Sequence, residues 1–242
     1  MGVRELILVR HGESEGNVAA AEAHASGLEV IDVEERDADV GLSSTGTDQA
    51  KALGEAFGRL ADDERPDVVW CSPFLRAQQT AELALETAGL ELPVRVDERL
   101  RDRELGVLNR LTKEGIEARY PHEGEMRREL GKFYHRPAGG ESWADVALRV
   151  RSLLTDLDRV EDGRSVLLVC HDAVVMVVRY ICEQMTERGV LEAAREDPVR
   201  NVAISRLHRD DEVSWTLVSY NDVRHVEHRE PPVTEHVGEH DV

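Results

Sequence analysis

Three short apolar runs, at residues 6–9, 68–71 and 166–170, most constrain how this chain can fold. Each has four or five consecutive residues, mostly β-branched residues and leucine, which is typical of strands buried on both faces. The segments between them carry apolar residues at helical spacing, for example Leu53 and Phe57. Alternating buried strands and amphipathic helices predict an α/β fold, a three-layer α/β/α sandwich with a mainly parallel central sheet.

Local signals add three elements to this outline. Ser142 predicts the N-cap of an amphipathic helix that contains Val146 and Val150. Residues 174–181 are apolar nearly all round and predict a buried helix directly after the third run. Apolar and polar residues partly alternate over residues 213–220, and this pattern predicts a last strand.

A chain of 242 residues fits one sizeable domain, which we assign to residues 1–224. Residues 18–38 are acidic and rich in alanine, and we interpret them as an insertion that forms a mobile flap. Residues 225–242 are rich in glutamate and histidine and contain two prolines, a composition that predicts a disordered tail. The expected organisation is therefore one domain with two additions.

Net charge and cysteine content limit which partners the chain can bind and which cellular compartment suits it. A formal net charge of −19 argues against binding to nucleic acid or to an anionic membrane, so any phosphate site must be locally basic. Three cysteines without metal-ligand spacing, and an N-terminal apolar run too short for a secretory or membrane-spanning segment, favour the cytoplasm. The sequence predicts no metal and no cofactor, and it leaves a homodimer possible.

The residues that follow the three apolar runs predict a single site. Arg10 and His11 follow the first run, Arg76 lies a few residues after the second, and His171 follows the third. Because ligands of parallel sheets bind at the carboxyl ends of the strands, these side chains should meet at one edge. Arginine pairs well with phosphate oxygens and a neutral imidazole can attack phosphorus, so the set predicts phosphoryl transfer.

The segment LVRHGESEGN at residues 8–17 resembles the signature of the histidine phosphatase superfamily, which contains cofactor-dependent phosphoglycerate mutases and fructose-2,6-bisphosphatases. Further matches follow in order, and they are Leu42, Ser43, Gly46, Ser72, Pro73, Arg76, Thr80, Gly139, Gly140, Glu141, Ser142 and His171. The resemblance covers residues 5–222 and implies a phosphoglycerate mutase-like fold.

The resemblance also implies catalytic roles. His11 matches the nucleophile that forms a phosphohistidine, Arg10 and Arg76 match the phosphate clamps, and His171 matches the second histidine, which stabilises the transferring group. The general acid matches Asp102, where the family usually has a glutamate.

Because this chain has aspartate where the family usually has glutamate, a second residue is also a candidate for the general acid. Aspartate is one methylene shorter than glutamate, which would place its carboxyl about 1.3 to 1.5 Å further back. Glu104 is the alternative, and residues two apart in a strand point to the same side, so both carboxyls could reach the site. The position of Asp102 four residues before Gly106 favours Asp102.

The resemblance and a basic run after the acid predict further substrate-binding residues. These are Ser14, Asn17, Lys113, Arg127, Arg128, Arg136 and Glu141, with Lys132 in the same run. Asn17 matches a phosphate contact of the family, and the basic run would bind a second anionic group. A sugar phosphate or bisphosphate is therefore the expected substrate.

Three functions follow from this site. The first is hydrolysis of a small phosphorylated metabolite through phosphohistidine, which is favoured because Lys132, Tyr134 and Gly139 resemble the fructose-2,6-bisphosphatase branch. The second is a 2,3-bisphosphoglycerate-dependent phosphoglycerate mutase, weakened because Leu105 stands where the mutases have tyrosine. The third is a non-catalytic module that binds phosphorylated ligands, but such a module should have lost one of the matched residues, and none is lost.

Overall fold

A computed structural model describes residues 2–209, 214–227 and 232–234 of the chain. Within these residues one sheet forms, and its strands are β1 (Glu5–Arg10), β2 (Val68–Cys71), β3 (Val94–Val96), β4 (Ser165–Cys170), β5 (Ile204–Arg209) and β6 (Trp215–Asp222). The α-helices of the same residues are α1 (Glu15–Ala25), α2 (Ser44–Arg59), α3 (Leu75–Ala88), α4 (Lys113–Arg119), α5 (Pro121–Leu130), α6 (Trp143–Val160), α7 (Asp172–Cys182) and α8 (Glu187–Glu196).

The sheet is mainly parallel, as predicted. The strand order is β3-β2-β4-β1-β5-β6, and β3, β2, β4 and β1 run parallel to one another. The strands β5 and β6 add an antiparallel edge beside β1. All residues of β2 and β4 are buried, which requires cover on both faces of the sheet. Pairs of helices, α2 with α3 and α6 with α7, provide the outer layers, so the predicted three-layer fold is confirmed.

Most predicted elements lie where the sequence places them. The three apolar runs are β1, β2 and β4, and the buried helix is α7. Ser142 caps α6 through a capping box, because its hydroxyl accepts from the Asp145 amide and its own amide donates to the Asp145 side chain. The last strand is β6, which begins at Trp215 and extends to Asp222, while residue 213 lies outside the described residues.

The insertion at residues 18–38 is attached to the segment that precedes α4. The first part of this insertion, residues 18–25, belongs to α1. The Ile31 amide then donates to the Arg110 carbonyl at 2.9 Å, and the Thr112 amide donates to the Glu29 carbonyl at 3.2 Å. An ion pair of 3.0 Å joins Glu29 to Arg119. The mobility expected of this insertion stays a prediction.

Part of the predicted tail packs against the domain. Val226 is 1% exposed and belongs to the main hydrophobic core. The Gln49 side-chain amide donates to the Pro232 carbonyl at 3.0 Å and to the Thr234 hydroxyl at 2.8 Å. Disorder remains a prediction for residues 228–231 and 235–242, which lie outside the described residues.

Among residues 2–209, 214–227 and 232–234, no helix combines the length and the apolar character that crossing a bilayer requires.

Candidate active site

The carboxyl ends of β1, β4 and β2 bring the predicted residues together. The His11 amide donates to the Cys170 carbonyl of β4 at 3.0 Å, and the Ser72 amide donates to the Val169 carbonyl of the same strand at 3.0 Å. These bonds extend the parallel ladders by one residue and fix the backbone on either side of β4. His171 directly follows β4 and is the N-cap of α7, so both histidines stand at one edge of the sheet.

The ring of His11 is oriented for attack through Nε2. It is 2% exposed, and its Nδ1 lies 2.7 Å from the Gly12 carbonyl oxygen. Because a carbonyl can only accept, Nδ1 carries the proton and Nε2 keeps the lone pair. Burial, together with the charges of Arg76, His171 and Arg10, holds the pKa of His11 well below 6.5. The imidazole is therefore neutral and nucleophilic at neutral pH.

Close packing behind His11 depends on two glycines. A Cβ on Gly12 would lie 2.7 Å from the Gly46 carbonyl oxygen, and a Cβ on Gly46 would lie 1.9 Å from the Glu13 carbonyl oxygen. The loop after β1 thus rests directly on the first turn of α2. The Glu13 carboxylate completes the contact by accepting a 2.7 Å hydrogen bond from Ser43.

The second histidine is fully buried beside the first. The ring centroids of His171 and His11 are 5.1 Å apart. Nε2 of His171 lies 2.8 Å from the Ser72 hydroxyl, and Nδ1 lies 3.1 Å from Asp102 Oδ2. Burial lowers the pKa of His171, although the nearby Asp102 carboxylate acts in the opposite direction.

Two arginines supply positive charge at the same point. Arg76 is 4% exposed, and its Nε donates to His11 Nε2 at 3.3 Å. Its terminal nitrogens donate to the Asp102 carboxylate at 3.1 Å and to the Asp37 carboxylate at 3.0 Å. Arg10 is also buried and donates to the Val199 carbonyl at 2.6 Å. The guanidinium of Arg76 thus contacts His11 and both carboxylates.

Asp102, not Glu104, faces the two histidines. Asp102 Oδ2 lies 3.1 Å from both Arg76 and His171. Glu104 is exposed and its carboxylate accepts from the Gly106 amide at 3.0 Å, in the turn that follows. The shorter side chain of aspartate therefore still contacts both Arg76 and His171.

The charge of Asp102 responds to its neighbours. Burial alone raises the pKa of this carboxyl, but His171, Arg76 and His11 outweigh burial and hold the pKa well below 3.8. A bound phosphate dianion would compete for Arg76 and add negative charge nearby. Both effects raise the pKa of Asp102 and favour its protonated form.

Glu141 holds the loop that carries Asp102 rather than lining the cavity. Its carboxylate accepts from Arg149 at 3.0 Å and from the Glu104 amide at 3.2 Å, and it also pairs with Arg101. Arg149 in turn donates to the Asp102 carbonyl at 3.1 Å. The predicted substrate-binding residue Glu141 is therefore placed to position Asp102.

A cavity of about 430 Å³ opens above these groups. His11, Arg10, Arg76 and Asp102 line it, together with the predicted residues Ser14 and Asn17. Ser14 and Asn17 also form the capping box of α1, which fixes their side chains at the first turn of that helix.

The predicted basic residues lie elsewhere. Lys113, Arg127, Arg128 and Lys132 line a second cavity of about 540 Å³ beside α4 and α5. Arg136 pairs with Asp145 at the start of α6 and lines neither cavity. The structure therefore does not bring this run to His11, because the segment from Leu105 to Leu111 stands between the two cavities.

The sequence reasoning did not anticipate Asp37 and Asn201. Asp37 binds Arg76 through both its carboxylate and its backbone carbonyl, and Asn201 donates to the His11 carbonyl at 2.9 Å. Asp37 lies in the segment interpreted as an insertion, and Asn201 lies in a turn before β5. Neither carries a local sequence signal, since their partners are distant along the chain.

Three donor atoms of the site are close enough to hold a metal ion. Among the described residues, the donor atoms of His11, Asp102 and His171 lie within 4.8 Å of one another. However, Arg76 donates to both His11 and Asp102, so a guanidinium already fills the position of a cation. This donor set fits a phosphate-binding site better than a metal site.

Comparison with known proteins identifies the family. The family model described as the histidine phosphatase superfamily (branch 1) matches residues 6–223. The chain belongs to this superfamily, as its signature residues predicted.

Its relatives include both mutases and phosphatases. It is 32% identical over 223 residues to a 2,3-bisphosphoglycerate-dependent phosphoglycerate mutase of Methylobacterium radiotolerans, covering 91% of this chain and 97% of the relative. It is 33% identical over 186 residues to 6-phosphofructo-2-kinase/fructose-2,6-bisphosphatase 3 of Rattus norvegicus. This alignment covers 76% of this chain but only 29% of the relative.

A solved structure shows the same architecture. The mycobacterial glucosyl-3-phosphoglycerate phosphatase superposes with a TM-score of 0.70 at 28% identity, covering 90% of this chain and 98% of that one. The chain is therefore an enzyme of a superfamily that contains phosphatases and mutases, and the predicted phosphatase function fits its relatives.

Proposed function

We propose that this enzyme hydrolyses phosphomonoesters of small metabolites through a phosphohistidine on His11. The observation that carries the proposal is the orientation of His11, whose Nδ1 is held by the Gly12 carbonyl while Nε2 faces Arg76 in the cavity. A neutral imidazole with a fixed tautomer is a competent nucleophile for phosphorus. Three buried, unpaired cysteines support a reducing compartment such as the cytoplasm.

In the first step, Nε2 of His11 forms a bond to phosphorus while the bond from phosphorus to the alcohol oxygen breaks. Arg10, Arg76 and His171 would stabilise the charge that spreads over the phosphoryl oxygens. Asp102, protonated once the substrate phosphate has engaged Arg76, gives its proton to the departing alcohol oxygen.

In the second step, a water molecule attacks the phosphorus of phosphohistidine. Asp102, now ionised, accepts a proton from this water, and the bond between phosphorus and Nε2 breaks. The products are inorganic phosphate and the regenerated neutral His11. The same carboxyl thus serves as acid and then as base, and its contacts with His171 and Arg76 support this double role.

The test is phosphate release from glycerol phosphate, glucose 6-phosphate, 3-phosphoglycerate and 4-nitrophenyl phosphate. We expect His11→Ala to lower kcat/KM by at least about 1000-fold, because no other group replaces the nucleophile. His135→Ala is the matched control, since His135 is equally buried but lies beside the second cavity.

Interconversion of 3- and 2-phosphoglycerate is followed in parallel. Hydrolysis that survives His11→Ala would contradict the proposal. Interconversion faster than hydrolysis would instead assign the chain to the mutases.

A further inference from the structure

The cavity around His11 carries an aliphatic surface beyond the groups assigned to the phosphate. We call this surface the aliphatic wall, and it consists of Ala20, Ala21, Ile31, Val33, Leu105 and Leu111. These residues come from α1, from the segment after α1 and from the loop before α4. Three separate parts of the chain thus present apolar groups to the same space.

The residues of the aliphatic wall are spaced along the chain as the local backbone structure requires for side chains on one face. Asn17, Ala20, Ala21 and His24 all line the cavity, and their spacing places them on one face of α1. Beyond α1, alternate residues face the cavity, beginning with Ile31 and Val33, while the intervening Asp32 and Glu34 are exposed. Within this segment, Ile31 and Val33 therefore face the cavity, whereas Asp32 and Glu34 point away from it.

The charged groups that share the cavity disfavour a second phosphate on the substrate. Glu35, Asp37 and Glu104 line it, and their carboxylates would repel another anion. Arg103 and Arg110 also line it and keep their positive charge, but they donate to backbone carbonyls, Arg103 to that of Glu141 at 2.8 Å and Arg110 to that of Glu35, and the three carboxylates outnumber them. Of the basic residues expected to hold a second anionic group, none lines this cavity, and four line the other one, namely Lys113, Arg127, Arg128 and Lys132.

We propose that the aliphatic wall binds the carbon skeleton of the leaving alcohol, and that the preferred substrates are monophosphate esters of aliphatic or aromatic alcohols rather than bisphosphates. This inference rests on the proposed phosphatase activity and names the substrate class of the same site. Transfer of an alkyl chain from water to such a surface is favourable for each methylene that is covered.

The first test is a series of primary alkyl phosphates from ethyl to hexyl. Their leaving alcohols have nearly the same acidity, so differences in kcat/KM report binding of the chain. We expect kcat/KM to rise by about fourfold per added methylene that the wall covers. Fructose 1,6-bisphosphate, which carries a second phosphate, should be a poorer substrate than hexyl phosphate.

The second test changes the wall itself. Val33→Asp places a carboxylate on the wall, and Ala21→Glu does so from a separate element, α1. Two variants in different elements keep a folding defect of one of them from deciding the test. The readout is the ratio of kcat/KM for hexyl phosphate to that for glycerol phosphate, in which any loss of correctly folded enzyme cancels. We expect each variant to lower this ratio by about tenfold or more.

Val218→Asp is the matched control, because Val218 is an exposed valine of β6 that lines neither cavity. It should leave the ratio unchanged. Three results would overturn the inference while leaving phosphatase activity intact. They are a kcat/KM that does not change from ethyl to hexyl phosphate, a preference for the bisphosphate, and an unchanged ratio in both wall variants. Failure of the proposed function would look different, since no ester would then be hydrolysed in a manner dependent on His11.

Discussion

Replacement of the two candidate acids gives the sharpest prediction from the site geometry. Asp102 Oδ2 lies 3.1 Å from both Arg76 and His171, whereas the Glu104 carboxylate is exposed and bonded to the Gly106 amide. General acid catalysis contributes about 10²- to 10⁴-fold, or roughly 3 to 5 kcal/mol of the activation barrier. Asp102→Asn should therefore lower kcat/KM for an alkyl phosphate by this factor, and Glu104→Gln should change it by less than about threefold.

The leaving group provides an internal control for the same pair of variants. 4-Nitrophenolate leaves without a proton, so the formation of phosphohistidine from 4-nitrophenyl phosphate does not need the acid. The value of kcat/KM reports only the steps up to and including the first irreversible step, which here is the formation of phosphohistidine. Asp102→Asn should therefore lower kcat/KM for 4-nitrophenyl phosphate by less than about tenfold. Equal losses on both esters would mean that Asp102 acts by holding Arg76 instead. A larger loss in Glu104→Gln than in Asp102→Asn would refute the assignment of the acid.

Three further predictions concern packing, positioning and pH. Gly46→Ala should destabilise the fold by more than about 2 kcal/mol in urea unfolding, because its Cβ would meet the Glu13 carbonyl oxygen at 1.9 Å. Gly58→Ala in the same helix, where the nearest backbone atom is 3.5 Å away, should be neutral or stabilising, and equal losses would contradict this account. Glu141→Ala should lower kcat by about 10- to 100-fold with little change in KM, since it loosens the loop of Asp102, and an unchanged kcat would contradict this role. The pKa of His11 is lowered, so the unfolded chain binds more protons below pH 6.5 and stability should fall as pH decreases through that range. His11→Asn should weaken this dependence between pH 7 and 5.5 in urea unfolding, and an unaltered slope would contradict it.

The central sheet and the meeting of Arg10, His11, Arg76 and His171 at one edge of it could be predicted from the sequence because their signals are local. The runs that become β1, β2 and β4 are continuous and apolar, and the residues that follow them must share one edge of a parallel sheet. The three-residue strand β3 is exposed throughout and has no such pattern. The strand β5 was missed as well, since its polar residues obscure the buried positions.

The outer part of the site depends on contacts between distant segments. Whether a basic side chain reaches His11 is decided by the path of the chain from Leu105 to Leu111, which no local pattern encodes. Asp37 could not be assigned for the same reason, because it meets Arg76 from a segment whose acidic composition resembles a solvated loop. A composition-based interpretation of residues 18–38 therefore overlooked the residues that build one side of the cavity.

The most direct test of the central claim is to trap the covalent intermediate. Asp102→Asn mixed with 4-nitrophenyl phosphate should form phosphohistidine readily but hydrolyse it slowly, because the base that activates water is missing. We predict a burst of 4-nitrophenol that approaches one equivalent per chain, and after a quench at alkaline pH, mass spectrometry should place the phosphoryl group on His11. Steady turnover without a burst, or phosphate on any other residue, would contradict the account.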